Sequence, residues 1–262
     1  MPTSNSLRVH LVQSPLVWEN PEANRTHFSE LFSTMTLRGS VVVLPEMFST
    51  GFSMKPETLA EAPDGPTVQW MLQEAANRGC IVCGSLMIRD NNNYYNRLFW
   101  AQPNGQLFTY NKRHLFGMAG EDQVYTAGDQ RVVVQVNGWR IALAICYDLR
   151  FPVWLRQQAD AEYDVLLLTA NWPERRADAW NTLLKARAIE NQCYVLGVNR
   201  CGEDGNGLQY QGDTQIIDPA GTPIAHIGNE ARILSFNLQA DALLQTRQHL
   251  PFLRDKDDFI LL

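Results

Sequence analysis

The sequence predicts an α/β protein built as one four-layer αββα sandwich, and three observations carry that expectation. Apolar runs of strand length outnumber amphipathic segments of helical period. Strands and helices alternate, give way to hairpins, alternate again and end in hairpins, so the order repeats roughly without a fixed period. No Pro/Ser/Gly-rich linker divides the chain, so residues 1–262 are expected to form a single domain. So few helices cover only one face of each half-sheet. The uncovered apolar faces then have to pack on each other.

The first half opens with strand-like runs at 7–13 and 41–44, followed by 81–87, 98–102 and 107–110. Between them, Ala23, Phe28, Leu31, Phe32 and Met35 form one apolar helical face. Val68, Met71, Leu72 and Ala75 form a second, behind Pro66 at a helix start. The second half offers strands at 132–136, 141–145, 165–169, 194–199, 215–217 and 233–236. Trp180, Leu183, Leu184, Ala188 and Ile189 supply its helical face. Hairpin turns are marked by Pro103–Asn104–Gly105, Asn137–Gly138 and Asp218–Pro219–Ala220–Gly221. The charged stretch 254–258 and the apolar 259–262 read as a tail that docks, on this chain or on a second subunit.

Composition narrows the function. With 22 basic and 28 acidic side chains, net charge −6, the chain lacks the footprint of a nucleic-acid or anionic-membrane binder. No apolar run approaches the ~20 residues of a membrane span. The residues Met1 to Ser6 carry no cationic segment leading into an apolar core, so no signal peptide is expected and the protein reads as cytoplasmic. Five scattered cysteines read as reduced thiols. Cys80 and Cys83 form a C-x-x-C, but in a strand-like run residues three apart face opposite ways, and no second pair completes a metal site.

Four residues stand out chemically. Cys146 ends the apolar run 141–145 and precedes Pro152, a first-turn helix residue, so it lies at a sheet's carboxyl edge beside free backbone N–H groups. Such groups lower a thiol pKa and hold a developing oxyanion. Taken alone, the cysteine reads equally as a small buried hydrophobe. Glu46 follows 41–44 and Pro45, with Phe48 and Phe52 close by; apolar rings raise a carboxyl toward the range of a general base, and the bland alternative is a solvated loop acid. Lys112, just past 107–110, reads as a solvated basic loop or as an oxyanion donor. Glu121 is placed to orient Lys112 or steady Glu46.

Together these segments resemble a known family. Leu44–Pro45–Glu46, Tyr110 through Phe116 and Cys146 through Pro152 resemble the three signature motifs of the nitrilase (carbon–nitrogen hydrolase) superfamily. Asn171–Trp172, the segment Ala186 to Gln192 and Asp218–Pro219–Ala220–Gly221 are similar to its later landmarks. In detail they look most like the bacterial ω-amidases. Many members carry an acidic residue after R-F-P where this chain has Val153, which argues against an ion pair there.

The resemblance implies the nitrilase-like αββα sandwich and Cys146 as nucleophile, with Glu46 as general base. Lys112 and the Tyr147 N–H would hold the oxyanion, and Glu121 would support the set. It implies no metal or organic cofactor, a small-molecule amide substrate, and a homodimer with no nucleic-acid or membrane partner. It points to 2-oxo dicarboxylate monoamides, 2-oxoglutaramate and 2-oxosuccinamate, as substrates. Phe48, Phe116 and Trp172 are expected to wall the pocket, with simple packing as their alternative. Competing readings are a papain-like pair of Cys146 with His114 or His10, a nitrile or N-carbamoyl activity, and an inactive ligand-binding relative. The glycine-rich 202–207 precedes no helix that would cradle a phosphate, so it reads as a flexible loop.

Overall fold

The computed structural model describes residues 2, 4–158 and 161–260. Its first half runs β1 (Ser6–Gln13), α1 (Pro21–Ser33), β2 (Val41–Val43), α2 (Pro56–Leu59), α3 (Pro66–Arg78), β3 (Ile81–Asp90), β4 (Asn93–Ala101), β5 (Leu107–Asn111) and α4 (Glu121–Val124). The second half continues β6 (Val133–Val136), β7 (Trp139–Ile145), α5 (Pro152–Leu155), β8 (Val165–Ala170), α6 (Ala177–Asn191) and β9 (Tyr194–Asn199). It closes with β10 (Cys201–Glu203), β11 (Gln209–Gln211), β12 (Gln215–Ile217), β13 (Pro223–His226), β14 (Arg232–Gln239) and α7 (Ala240–His249).

Two six-stranded sheets result, ordered β14-β1-β2-β3-β4-β5 and β13-β12-β9-β8-β7-β6. Each has a parallel trio, β1-β2-β3 and β7-β8-β9, extended by antiparallel strands. β14 crosses from the second half and pairs with all of β1, from Ser6↔Gln239 to Gln13↔Arg232. The chain therefore closes on its own start.

Alternation in the strands sets the layers. Leu7, Val9, Leu11, Val41, Val43, Ile81 and Cys83 join one interior with Ile141, Leu143, Val165 and Leu196 of the other sheet. Val12, Val42, Val82, Leu86 and Ile88 face the opposite way, onto Phe28, Phe32, Val68, Met71 and Ala75 of α1 and α3. Each Val, Leu, Ile, Phe or Met among them contributes about 1.5–3 kcal/mol by leaving water. Cys80 and Cys83 fall into these two different clusters, and all five cysteines are free and buried.

Local chemistry explains the ends. Asn20 caps α1 through Ala23 N at 3.1 Å, with Pro21 in the first turn. α3 starts at Pro66 and stops at Gly79, whose φ of 63° suits glycine. Asn137 and Gly138, at φ 50° and 79°, make the two-residue turn between β6 and β7. Of the tail, Phe259 lies beneath the Arg131 guanidinium at 6.0 Å and Ile260 is exposed, while residues 261 and 262 lie outside the described residues. Among the described residues no helix is long and apolar enough to cross a membrane.

Candidate active site

The carboxyl ends of both parallel trios meet at one place. After β2 the backbone turns through Met47, which has a left-handed φ of 44°, and Met47 N donates to Ser85 Oγ at 2.9 Å. That turn sends Glu46 into the seam between the sheets, fully buried. Glu46 Oε1 accepts Lys112 Nζ at 2.8 Å and Asn96 Nδ2 at 2.7 Å, while Oε2 accepts Asn171 N at 2.8 Å. Asn171, just past β8, returns a bond from Nδ2 to Glu46 O at 2.6 Å.

Lys112 is no solvated loop residue; it is 1% exposed. Its backbone is fixed on both sides, N donating to Asn96 O and O accepting Gly128 N, each at 2.9 Å. A Cβ at Gly128 would lie 2.3 Å from Asn111 O, so only glycine permits this approach. Lys112 Nζ also donates to Glu121 Oε1 and Oε2 at 3.0 and 2.9 Å. Asn96 Nδ2 reaches Glu121 Oε1 at 3.2 Å, and Glu121 Oε2 accepts Phe116 N at 2.6 Å. Burial by itself would lower the lysine pKa, but the charges of Glu121 and Glu46 outweigh it and hold the ammonium above the ordinary lysine value. Glu121 is raised by burial, against the pull of Lys112, with Glu46 adding to the rise.

Cys146 follows β7 at φ 44°, a strained backbone for a non-glycine residue, and opens a 3₁₀ turn, Cys146–Arg150. Asp148 pins the turn: Oδ2 accepts Ile145 N at 3.0 Å and Tyr110 OH at 2.7 Å, and Oδ1 accepts His114 N at 2.9 Å. The Tyr147 N–H sits in the first turn, where amides lack a partner within the helix. Here one expectation is corrected. The thiol is raised, not lowered: burial pushes Cys146 well above the ordinary cysteine value, Glu46 adds to this, and Lys112 only partly opposes it. The sulfur lies 4.0 Å from Asn171 O.

A cavity of ≈340 Å³ opens over this sulfur, walled by Phe52, Phe116, Tyr147 and Trp172. Phe48 is corrected out of the wall. The left-handed Met47 breaks the alternation, and Phe48 packs in the helix layer against Phe28 and Trp70, ring centroids 5.6 and 5.8 Å away. It also lies over Gly84, where a Cβ would meet Phe48 Cδ1 at 2.7 Å. Phe52 takes the place expected of Phe48. The stretch 202–207 is likewise no loose loop: it turns the β10–β11 hairpin, whose Asn206, Leu208 and Tyr210 wall the cavity. Asp204 locks it by accepting Asn206 N, Leu208 N and Tyr210 OH at 2.8, 3.0 and 2.9 Å.

The histidines are engaged elsewhere. His114 Nδ1 pairs with Asp148 Oδ1 at 2.9 Å, and its ring stacks on Phe151 at 3.6 Å. His10 pairs with Ser235 at 2.7 Å, and burial together with Arg8 lowers it to about 4. Asn96 was not singled out from sequence, and Asp148 and Asn171 stood there only inside family motifs, with no role of their own. The position of Asn96 in a strand and of Asn171 just after one were the available signals, since a polar side chain in a buried strand needs partners.

The carbon–nitrogen hydrolase family model matches residues 8–248. This chain belongs to that family. It is a hydrolase of carbon–nitrogen bonds other than peptide bonds, with the four-layer fold of the nitrilase superfamily. The omega-amidase YafV of Yersinia enterocolitica is 44% identical over 98% of this chain and 100% of its own length. The 2-oxoglutaramate amidase of Bacillus subtilis is 32% identical over 94% of this chain and 96% of its own. A CN-hydrolase superfamily protein from Xanthomonas campestris, solved with an arsenic adduct in its active site, superposes with TM-score 0.96 at 43% identity. That match covers 99% of this chain and 100% of the other.

Proposed function

We propose that this hydrolase is an ω-amidase, a single catalytic domain over residues 1–262. It would cleave the terminal amide of 2-oxoglutaramate and 2-oxosuccinamate to the 2-oxo acid and ammonia. One observation carries the reading: a thiol at a cavity wall, set against a buried ammonium held by two carboxylates. Full-length likeness to proteins named omega-amidase and 2-oxoglutaramate amidase supports the choice of substrate.

The chemistry follows from the electrostatics. Burial keeps the Cys146 thiol protonated, so the thiolate has to be generated as it attacks. Glu46 takes that proton while Sγ bonds to the amide carbon. The Lys112 ammonium and the Tyr147 N–H receive the oxyanion. As the tetrahedral intermediate collapses, the C–N bond breaks and Glu46 passes its proton to the departing nitrogen. Ammonia leaves a thioester. Water then attacks, giving a proton to Glu46; the C–S bond breaks and Cys146 recovers its proton. Glu121 keeps Lys112 charged and aimed. Water is the sole co-reactant in this balance. The proposal includes a cytoplasmic homodimer: five free thiols suit a reducing compartment, and exposed Ile189 and Phe252 offer apolar surface to a second copy.

Enzyme quenched during turnover of 2-oxoglutaramate should carry an acyl adduct on Cys146 by mass spectrometry. An adduct on Cys80 or Cys201 instead would remove the assignment. Equal or faster turnover of glutamine, a simple nitrile or an N-carbamoyl amino acid would remove the ω-amidase reading.

A further inference from the structure

Four cationic side chains line the Cys146 cavity, Lys112, Arg150, Arg175 and Arg176, and no aspartate or glutamate is among its walls. Lys112 is already neutralised by Glu46 and Glu121. None of the three guanidiniums has a carboxylate partner among the described residues. A half-buried arginine without a counter-ion, facing a cavity, is a site for an anion.

Arg150 lies over the Trp172 ring, 4.9 Å from its centroid; a like ring contact and, in addition, a backbone tied to the wall belong to Arg176. Its carbonyl accepts Trp172 Nε1 at 2.7 Å, and its N–H donates to Pro173 O at 3.0 Å, so its backbone is tied to the cavity wall. Its guanidinium lies over the Phe116 ring, 4.9 Å from the centroid, which restrains the fork. Burial and the like charges of Arg175 and Arg150 weaken its protonated form. An arriving anion relieves that repulsion.

We infer that Arg176 is the specificity-determining residue of this site, taking the carboxylate of a 2-oxo acid amide whose far end reaches Cys146. The inference rests on the ω-amidase reading and adds the source of its selectivity. A guanidinium fork matches a carboxylate in two parallel hydrogen bonds. A 2-oxo group adds acceptor lone pairs for neighbouring N–H donors. A 2-ammonium group instead brings positive charge to a wall of arginines with no acid to receive it. Glutamine is then excluded by repulsion and by the cost of stripping water from an unpaired charge.

Kinetics of Arg176→Met, Arg176→Lys and Arg150→Met test this, using 2-oxoglutaramate and pentanamide, an amide of the same chain length without carboxylate or ketone. Arg176→Met should lower the kcat/KM ratio of the first substrate to the second by roughly 10- to 100-fold, as for a lost charged hydrogen-bond partner. The loss should fall in KM more than in kcat. The lysine variant keeps the charge and should recover part of the ratio. Calorimetric titration of Cys146→Ala with 2-oxoglutarate should show the same weakening when Arg176→Met is added. An unchanged ratio, or a larger fall in Arg150→Met, overturns the assignment while active wild type keeps the ω-amidase reading standing. Wild-type enzyme that ignores 2-oxoglutaramate overturns that reading, and this inference with it.

Discussion

The two sheets share a plan, a parallel trio with antiparallel flanks, yet they bring opposite chemistry to the seam. The first sheet and the segment after it supply charge: Glu46 past β2, Lys112 past β5, Glu121 at α4, and Asn96 in β4 bridging the two carboxylates. The second supplies an uncharged thiol at the end of β7 and a backbone amide past β8. Neither sheet alone holds a reactive centre. Asn171 on Glu46, and Asp148 on Tyr110 and His114, are the hydrogen bonds that hold one contribution against the other. The difference teaches where precision is needed: in the facing of two sheets, which is set by apolar packing that runs from the strands up to Cys146 itself.

Removing the second sheet's contribution should cost most. Cys146→Ala is expected to lower ammonia release by on the order of 10⁴-fold or more, as for other lost nucleophiles, with circular dichroism unchanged. Turnover within about tenfold of wild type would mean that the thiol is not the nucleophile.

The first sheet's charges should cost less in rate but more in stability. Glu46→Gln keeps shape without a proton acceptor, for an expected loss of at least ~10² in turnover. Lys112→Met should lose about 10²–10³. It also leaves Glu46 and Glu121 buried without their shared ammonium, which costs about 3–5 kcal/mol in a denaturant titration. Glu46→Gln still leaves Lys112 paired with Glu121, so its denaturation midpoint should fall less. A Lys112→Met variant as stable as wild type would show that the ammonium does not hold these carboxylates together.

The comparison also says what was legible. The strands were readable because the trios are buried on both faces at their centres, so β2, β8 and β9 run almost continuously apolar. Glu46 and Cys146 were readable because each follows such a run, and Lys112 because its segment, Tyr110 through Phe116, resembles a family motif. Asn96 was not, since its Nδ2 matters only once Glu46 and Glu121 flank it. Phe48 was misplaced because a left-handed Met47 leaves no mark in sequence. The β10–β11 hairpin was hidden by its glycines; its order comes from Asp204 accepting bonds along the turn.

A smaller effect distinguishes a protonated thiol from a resting ion pair. Because burial raises Cys146, its protonated form should persist through and beyond the ordinary cysteine pKa of about 8.5. The thiolate absorbance difference between wild type and Cys146→Ala should therefore stay near zero at neutral pH and emerge only in alkali. A difference already present at neutral pH would mean that the amides of the turn outweigh desolvation, and Glu46 would have no thiol proton to take.

The smallest effect is expected at His114, which belongs to the hydrogen-bonded seam and not to the charged cluster. In His114→Ala, Asp148 loses the Nδ1 contact but keeps Ile145 N, Tyr110 OH and the backbone N of residue 114. The turn that presents Cys146 therefore stays pinned. Loss of one hydrogen bond and of the stack on Phe151 should lower stability by about 1 kcal/mol. Most of the ammonia-releasing activity should remain, because Glu46, Lys112 and Glu121 are untouched. A dead His114→Ala beside a healthy Glu46→Gln would transfer the base to histidine, and the papain-like pairing would replace the carboxylate mechanism.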